Sequence, residues 1–282
     1  MPRVWEAKTK GFYAFRHNWN GPESIIAQVY AKQGSAGWSQ AEAGSFLIYG
    51  LGHQWAPKDN DALGKGGSRW LDNTIMLPDD PIHAWGDAWP VLFQGDPKSG
   101  SGVVTFNMDG VYRGLREKGS GKNKSTEEFD LGIRGSRSFA VDFSGRGGAP
   151  AVFAVVDHIT GGKRKIWIQQ LPAGATFSVD GQSFTLASGG VMYKATVISP
   201  ASARIVKARG AGAQKISGVP DADRDAIHVT GPTGKEGDFF VVMTLQKGPS
   251  PEVSVQGDGL KATAAVGNVR VGFDGQKIIV GP

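Results

Sequence analysis

Short apolar runs with a two-residue alternation recur along this chain, and polar, glycine-rich turns separate them. Runs at residues 12–15, 25–30 and 45–49 come first, and a more regular series extends from residue 136 to residue 280. Alternation with period two is typical of strands that bury one face, and no stretch shows a helical stripe. The pattern predicts an all-β fold, a large antiparallel β-sandwich that is supersandwich-like, with about eighteen short strands.

The turns between these strands indicate one domain over residues 1–282. Asp180 with Gly181 and Asp274 with Gly275 are hairpin signals. No repeat of fixed period is present, which counts against a propeller or a β-helix. The loop 208–225, rich in Gly, Ala and Asp, is the weakest boundary. We interpret it as a long loop within the domain, because the strands after it would make only a thin core.

Composition narrows the classes of protein that fit this pattern. The 42 glycines in 282 residues supply many turns that need positive φ, and the absence of cysteine excludes disulfides and thiolate metal sites. A net charge of +5 raises non-specific affinity for polyanions without selecting one. No nucleophile elbow, phosphate-binding loop or dinucleotide fingerprint is present. Basic and aromatic residues do not share one predicted strand face, so we predict no nucleic-acid partner.

The N-terminal residues and the lengths of the apolar runs are informative about the cellular location of the protein. No apolar run approaches the ~18 residues of a membrane span, so we predict no membrane span. The first twelve residues lack the apolar segment of a signal peptide. Either the protein is not exported or the chain is a mature fragment of a larger protein, and we favour the fragment.

Residues 37–80 concentrate side chains that bind sugars or transfer protons. Trp38 and Trp55 lie in or next to turns, where an indole either stacks on a sugar ring or packs at a strand end. His53 and His83 are the imidazoles in or next to this stretch, and histidine titrates near neutral pH. Trp38 and Trp55 are therefore candidate ligand-binding residues, and His53 and His83 are candidate catalytic residues. The alternative for each is a structural role.

A second candidate surface lies at residues 112–128, where basic residues alternate with glycine and serine. The segment contains Arg113 and Arg116, followed by three lysines. Its composition predicts a surface loop, which is either simply solvated or a contact for an anionic chain. Under the second interpretation, Arg113 and Arg116 bind substrate.

Several of these residues resemble motifs of the heparinase II/III family of polysaccharide lyases. Residues 38–46 end in the Gly-Ser-Phe element of that family, and residues 72–77 begin with an Asn-Thr element at Asn73. Arg137 and the residues 155–158 resemble its paired strands around a turn, which Asp157 would cap. The resemblance covers most of the chain. It implies the C-terminal β-sandwich of enzymes that cleave acidic polysaccharides by β-elimination and that also carry an N-terminal helical toroid.

The chain departs from the family at three histidines. Trp38 replaces a catalytic candidate, while Gln40 and Asp72 replace ligands of a structural metal. Tryptophan cannot remove a proton, because its indole only donates a hydrogen bond. Gln40 and Asn73, at motif positions, are assigned to substrate binding. Glu42, Asp59 and Asp72 offer only oxygen ligands, which favour a hard divalent cation such as calcium, and no other cofactor is expected.

These observations predict a carbohydrate-active sandwich domain with an acidic polysaccharide or another glycan as its partner. The replaced histidines and the missing toroid predict that the isolated chain is inactive or only weakly active. Two alternatives remain, a non-catalytic glycan-binding or cell-surface module and a purely structural domain of a larger assembly. The resemblance further implies a periplasmic or extracellular location.

Overall fold

A computed structural model describes residues 1–31, 43–57, 72–82, 86–119, 124–209 and 225–282. Strands dominate these residues, because alternating apolar positions bury one face and glycines close the turns. In chain order the strands are β1 (Val4–Ala7), β2 (Phe12–Arg16), β3 (Ile26–Tyr30), β4 (Phe46–Gly50), β5 (His53–Ala56), β6 (Ile75–Met76), β7 (Trp89–Gly95), β8 (Gly102–Asn107), β9 (Arg113–Lys118), β10 (Ser125–Asp130), β11 (Arg134–Asp142), β12 (Ala151–Thr160), β13 (Ile166–Gln170), β14 (Thr176–Asp180), β15 (Ser183–Ser188), β16 (Val191–Ser199), β17 (Arg204–Arg209), β18 (Asp225–Thr230), β19 (Asp238–Lys247), β20 (Val253–Gln256), β21 (Thr263–Val266), β22 (Val269–Phe273) and β23 (Ile278–Gly281). Short 3₁₀ helices cover Lys8–Lys10, Gly21–Glu23, Asp109–Tyr112 and Gly259–Lys261.

The strands form five antiparallel sheets. The N-terminal sheet has the order β1-β2-β3-β4-β5, and the central sheet has the order β14-β15-β16-β19-β12-β11-β8-β7. A lateral sheet, β17-β18-β13-β6, and a C-terminal sheet, β20-β21-β22-β23, complete the layers, and β9 pairs with β10 as a separate hairpin. The predicted all-β antiparallel sandwich is confirmed.

The central sheet is covered on both faces, which explains the unbroken apolar runs in its middle strands. On β12, Phe153 and Val155 belong to a core shared with the N-terminal and lateral sheets. Ala154 and Val156, the alternate residues, belong to a second core against the C-terminal sheet. A strand buried on both faces loses the polar half of its alternation, because each face requires apolar residues.

The basic segment predicted to be a loop forms the β9–β10 hairpin. Its register places Arg116 opposite Glu127, and Lys118 Nζ lies 2.7 Å from the same Glu127 carboxylate. Opposite charges on facing strands stabilise the pairing. The prediction of a loop was wrong, because Arg116 and Lys118 on β9 pair with Glu127 on β10 across the hairpin.

Two histidines packed into the fold make its stability depend on pH. Burial and the charge of Arg164 lower the pKa of His228, and burial and the charge of Arg3 lower the pKa of His17. The unfolded chain therefore binds more protons than the folded protein just below the ordinary histidine pKa, so stability rises with pH in that window.

We expect the free energy of unfolding to fall as the pH is lowered from about 7.5 towards 5, through the ordinary histidine pKa near 6.5. Each histidine contributes a slope of at most about 1.4 kcal/mol per pH unit. Denaturant unfolding across this range, with His228→Gln as the variant, checks the expectation. The free energy of unfolding of the variant should fall less steeply with decreasing pH than that of the parent protein. The difference between the two proteins at pH 8 serves as the baseline for this comparison. An unchanged slope would remove His228 from this account.

Candidate functional site

A groove of about 670 Å³ opens beside His53, where the β4–β5 hairpin meets the lateral sheet. Tyr49, His53 and Gln54 line it from the hairpin, and Lys207 and Asp225 line it from the paired ends of β17 and β18. The loop 171–175 forms another wall. The groove therefore combines an imidazole, a phenol, an amide and an ammonium–carboxylate pair.

The position of His53 in this groove is fixed by its neighbours. Its ring meets the indole of Trp55 edge-on, with centroids 5.5 Å apart. Gly189 is also close to the ring, since a Cβ added to it would lie 2.9 Å from Nε2 of His53, and the φ of +57° at Gly189 also favours glycine. The side chain remains half-buried, so its ring is both oriented and accessible. Imidazole and phenol groups are common general acids and bases, which makes His53 and Tyr49 the groups in this groove suited to proton transfer.

A buried ion pair beneath the N-terminal sheet connects the motif residues. Arg137 and Asp157 face each other on β11 and β12, with Nε–Oδ1 and Nη2–Oδ2 distances of 2.6 and 2.9 Å. Nη1 of Arg137 also donates to the carbonyl oxygens of Gly44 and Asn73, at 2.5 and 2.9 Å. Burial raises the pKa of Asp157, and the guanidinium opposes that shift. The prediction that Asp157 caps a turn was wrong, because β12 continues to Thr160.

Asn73 connects three further backbone segments. Its Nδ2 donates to the carbonyl oxygens of Phe46, Ala56 and Pro57 at 2.6, 3.2 and 2.9 Å. Its Oδ1 accepts a 2.7 Å hydrogen bond from the backbone N–H of Gln170. Asn73 is completely buried. The Gly-Ser-Phe and Asn-Thr elements thus lie side by side, held by the Asn73 amide and the Arg137 guanidinium.

Two predicted ligand-binding residues, Trp55 and Asn73, are buried in the protein and have structural roles. Trp55 is 0% exposed; its indole N–H donates to the carbonyl of Gly50 at 2.9 Å, and its ring stacks on Tyr193 with centroids 6.2 Å apart. The sugar-stacking role predicted for Trp55 is wrong for this structure, because no ring face reaches solvent. Direct substrate binding through the side chain of Asn73 is wrong for the same reason, since that side chain is enclosed by backbone carbonyls.

The two arginines predicted to bind substrate lie on β9, exposed or half-exposed and already paired. Arg113 Nη1 lies 3.8 Å from Asp130, and Arg116 Nη2 lies 2.8 Å from Glu127. Exposed ion pairs contribute little energy, so both guanidinium groups can exchange partners. Their role in binding an anionic chain stays a prediction.

Several predicted site residues lie outside the described residues. These are Trp38, Gln40, Glu42, Asp59 and His83. Of the proposed cation ligands only Asp72 is described, and it is 4% exposed. Within the described ranges no three His, Asp or Glu side chains gather as metal ligands. A cation site would therefore depend on Glu42 and Asp59, and it stays a prediction.

Tyr49, Gln54, Lys207 and Asp225 were missed by sequence reasoning. A local signal existed for the first two: Gly52 between β4 and β5 predicts a hairpin, and in its register Tyr49 faces Gln54. Lys207 and Asp225 lie more than a hundred residues further along, so only the tertiary structure brings them to His53. Their Nζ and Oδ2 atoms are 2.5 Å apart.

Comparison with solved structures shows which known proteins share this fold. The chain superposes on a structure described as heparinase III with a TM-score of 0.63 and 15% identity, covering 98% of this chain and 41% of that one. The fold is that of a heparinase III domain. The heparan sulfate lyase from Pedobacter heparinus gives a TM-score of 0.66 at 15% identity, with 99% and 42% of the two chains covered. The predicted resemblance to the heparinase II/III sandwich is confirmed at the level of the fold.

The remaining comparisons define how far this likeness to heparinase III extends. A further structure described as heparinase III matches with a TM-score of 0.61 and 13% identity. No family model matches the sequence, and no curated protein sequence is similar to it. The chain spans about two fifths of the length of the heparinase structures that it matches. In the part of the chain that the structure describes, no helix is long and apolar enough to cross a bilayer.

Proposed function

We propose that this chain is a carbohydrate-active domain of the heparinase II/III type, and that an acidic polysaccharide lies in the groove beside His53. The observation that carries the proposal is the fold correspondence, which extends over 98–99% of the chain to structures described as heparinase III and heparan sulfate lyase. The convergence of Gly44, Asn73, Arg137 and Asp157 supports it, because these residues belong to separate motifs of the resemblance.

The chemistry of β-elimination requires a base that removes the proton beside the uronate carboxylate and groups that stabilise the developing charge. In the groove, His53 is the group suited to the first task, and Tyr49 can protonate a leaving oxygen. Trp38, Gln40 and Asp72 stand where the family has histidines. We therefore propose that the isolated chain binds acidic glycans but turns them over weakly or not at all.

The alternative, a non-catalytic glycan-binding or cell-surface module, uses the same groove without turnover. The replaced histidines favour it, because they remove proton-handling groups and leave hydrogen-bonding ones. Under either form we propose a periplasmic or extracellular location, a helical toroid in the full-length protein, and calcium as the divalent cation if Glu42, Asp59 and Asp72 bind one. None of these proposals involves nucleic acid.

Turnover and binding by the isolated chain test the proposal separately. Absorbance from unsaturated uronate ends, measured with heparin, heparan sulfate, chondroitin sulfate and alginate, should show no or very slow product formation. Calorimetric titration should show binding to at least one of the four, and His53→Ala should weaken it about tenfold, as expected for one lost hydrogen bond to a charged group.

The matched control for the groove variant is His158→Ala. That histidine is exposed, on the central sheet, and paired with Asp238 at 2.6 Å. It should leave binding unchanged. Rapid turnover would contradict the proposed loss of activity, and absence of binding to all four polysaccharides would overturn the function itself.

A further inference from the structure

An exposed tryptophan on the loop between β2 and β3 makes a cation–π contact with an arginine. Trp19 is 43% exposed, and the guanidinium carbon of Arg16 lies 3.7 Å from its ring centroid. Arg16 is held in place, since Nε donates to the carbonyl of Asn18 at 2.6 Å and Nη2 donates to Ser24 Oγ at 3.3 Å. The guanidinium covers one face of the ring, and the exposed remainder is open to a ligand. We call Arg16 and Trp19 together the indole platform.

The backbone of a second arginine, Arg3, is hydrogen-bonded to the backbone of Arg16. The backbone N–H of Arg16 donates to the carbonyl of Arg3 at 2.7 Å, and Nη1 of Arg3 donates to the carbonyl of Lys98 at 2.6 Å. Both arginines are thus anchored through backbone carbonyls, and among the described residues neither forms an ion pair with a carboxylate. An anion bound near these neighbouring residues can accept charge-assisted hydrogen bonds from both arginines, and such bonds are stronger than neutral ones.

The register of the N-terminal sheet connects the platform to the groove. Arg16 faces Ile26 on β3, Ile26 faces Tyr49 on β4, and Tyr49 faces Gln54 on β5. Cross-strand partners share a face, and strands lie about 4.8 Å apart, so the Arg16 and Tyr49 backbones are separated by about 10 Å. Tyr49 and Gln54 line the groove that contains His53. The row from Arg16 to Gln54 thus extends from the platform into that groove.

The neighbouring row on the same face adds apolar and amide groups without negative charge. Trp5, 56% exposed, faces Ala14, which in turn faces Gln28. Neither row contains a carboxylate. The loop that carries Trp19 also contacts the β4–β5 turn, because the N–H of Gly52 donates to the carbonyl of Pro22 at 3.0 Å. Platform and groove are therefore parts of one continuous surface.

We propose that the indole platform, together with Arg3, is a subsite for a sugar residue that carries a sulfate or carboxylate group. The sugar ring stacks on the open part of the Trp19 ring, and its anionic group interacts with the guanidinium groups of Arg16 and Arg3. The same polysaccharide chain then continues along the row from Arg16 to Gln54 and enters the groove at His53. This inference rests on the proposed function and names the charged sugar as the feature that the protein recognises.

Calorimetric titration of the full chain with a size-defined heparan sulfate oligosaccharide tests the subsite. Trp19→Ala and Arg3→Gln should each weaken binding about tenfold. The controls are Trp89→Ala, which removes an indole that is 53% exposed on β7, and Arg270→Gln, which removes an exposed guanidinium on the C-terminal sheet. Both controls should stay within about twofold of the parent protein. Thermal melts of all variants check that each is folded.

Two further ligands separate the contributions of charge and stacking. A neutral malto-oligosaccharide should bind far more weakly than the acidic one, and added salt should weaken binding of the acidic one alone. With a desulfated oligosaccharide, the effect of Arg3→Gln persists if a carboxylate is recognised and disappears if a sulfate is. Either result supports the subsite.

The outcomes distinguish this inference from the proposed function. If His53→Ala weakens binding while Trp19→Ala and Arg3→Gln do not, the subsite is overturned and the groove assignment stands. If the platform variants weaken binding and His53→Ala does not, the subsite stands and the groove assignment fails. If the parent protein binds none of the oligosaccharides, both are overturned.

Discussion

Replacing Arg137 with methionine is expected to lower the free energy of unfolding by about 3–5 kcal/mol. The variant leaves the Asp157 carboxylate buried without its guanidinium and removes a donor from the carbonyl oxygens of Gly44 and Asn73. Arg137 is 0% exposed and Asp157 is 1% exposed, so water cannot replace these contacts. Denaturant unfolding followed by far-ultraviolet circular dichroism measures the loss.

Two companion variants decide whether the effect comes from the uncompensated charge. Arg137→Met combined with Asp157→Leu should recover part of the lost stability, because a buried ion pair replaced as a whole costs less than one broken on one side. Arg134→Met on the same strand breaks an exposed pair with Asp130 and should cost far less stability than Arg137→Met. A loss of under about 1 kcal/mol for Arg137→Met would show that this ion pair does not hold the motif elements together.

Replacing Asn73 with aspartate is expected to destabilise the protein by about 3 kcal/mol or more at pH 7. The side chain keeps its shape, but an oxygen replaces the Nδ2 group that donates to the carbonyls of Phe46, Ala56 and Pro57. A buried carboxylate would then face three carbonyl oxygens without a donor between them.

The pH dependence of the stability of Asn73→Asp shows whether the loss comes from charge repulsion or from a poor steric fit of the new side chain. Its carboxyl should have a raised pKa in the folded state, so the folded variant binds more protons than the unfolded chain above pH ~4. The stability difference from the parent protein should therefore shrink as the pH is lowered towards 4. Asn20→Asp, the same substitution at an exposed loop position, is the control and should have little effect. A difference that does not change with pH would contradict the account.

Both predictions concern the same feature, the way the Gly-Ser-Phe and Asn-Thr elements are fixed. Arg137 holds the carbonyls of Gly44 and Asn73 from the central sheet, and Asn73 holds the carbonyl of Phe46 on β4. The β4–β5 hairpin that carries Tyr49 and His53 is part of the same framework. We therefore expect losses at Arg137 or Asn73 to weaken glycan binding through misplacement of this hairpin.

The local pattern was enough to predict most of the fold. Period-two alternation and glycine turns are properties of neighbouring residues, and they predicted the strands around Phe46, Phe139 and Phe240 correctly. They failed at Asp157, which follows an apolar run as a turn residue would. Its partner Arg137 is 20 residues away on the next strand, and only that contact makes a buried aspartate tolerable.

The candidate site depended on the sequence for its motifs and on the tertiary structure for its geometry. The sequence alone determined an all-β chain whose Gly-Ser-Phe and Asn-Thr elements resemble a lyase sandwich, because these signals are local. Only the tertiary structure decided that Trp55 is buried, and that His53 lies opposite Lys207 and Asp225. Burial and the contents of a groove depend on which layers cover a strand, and the packing of distant segments determines that.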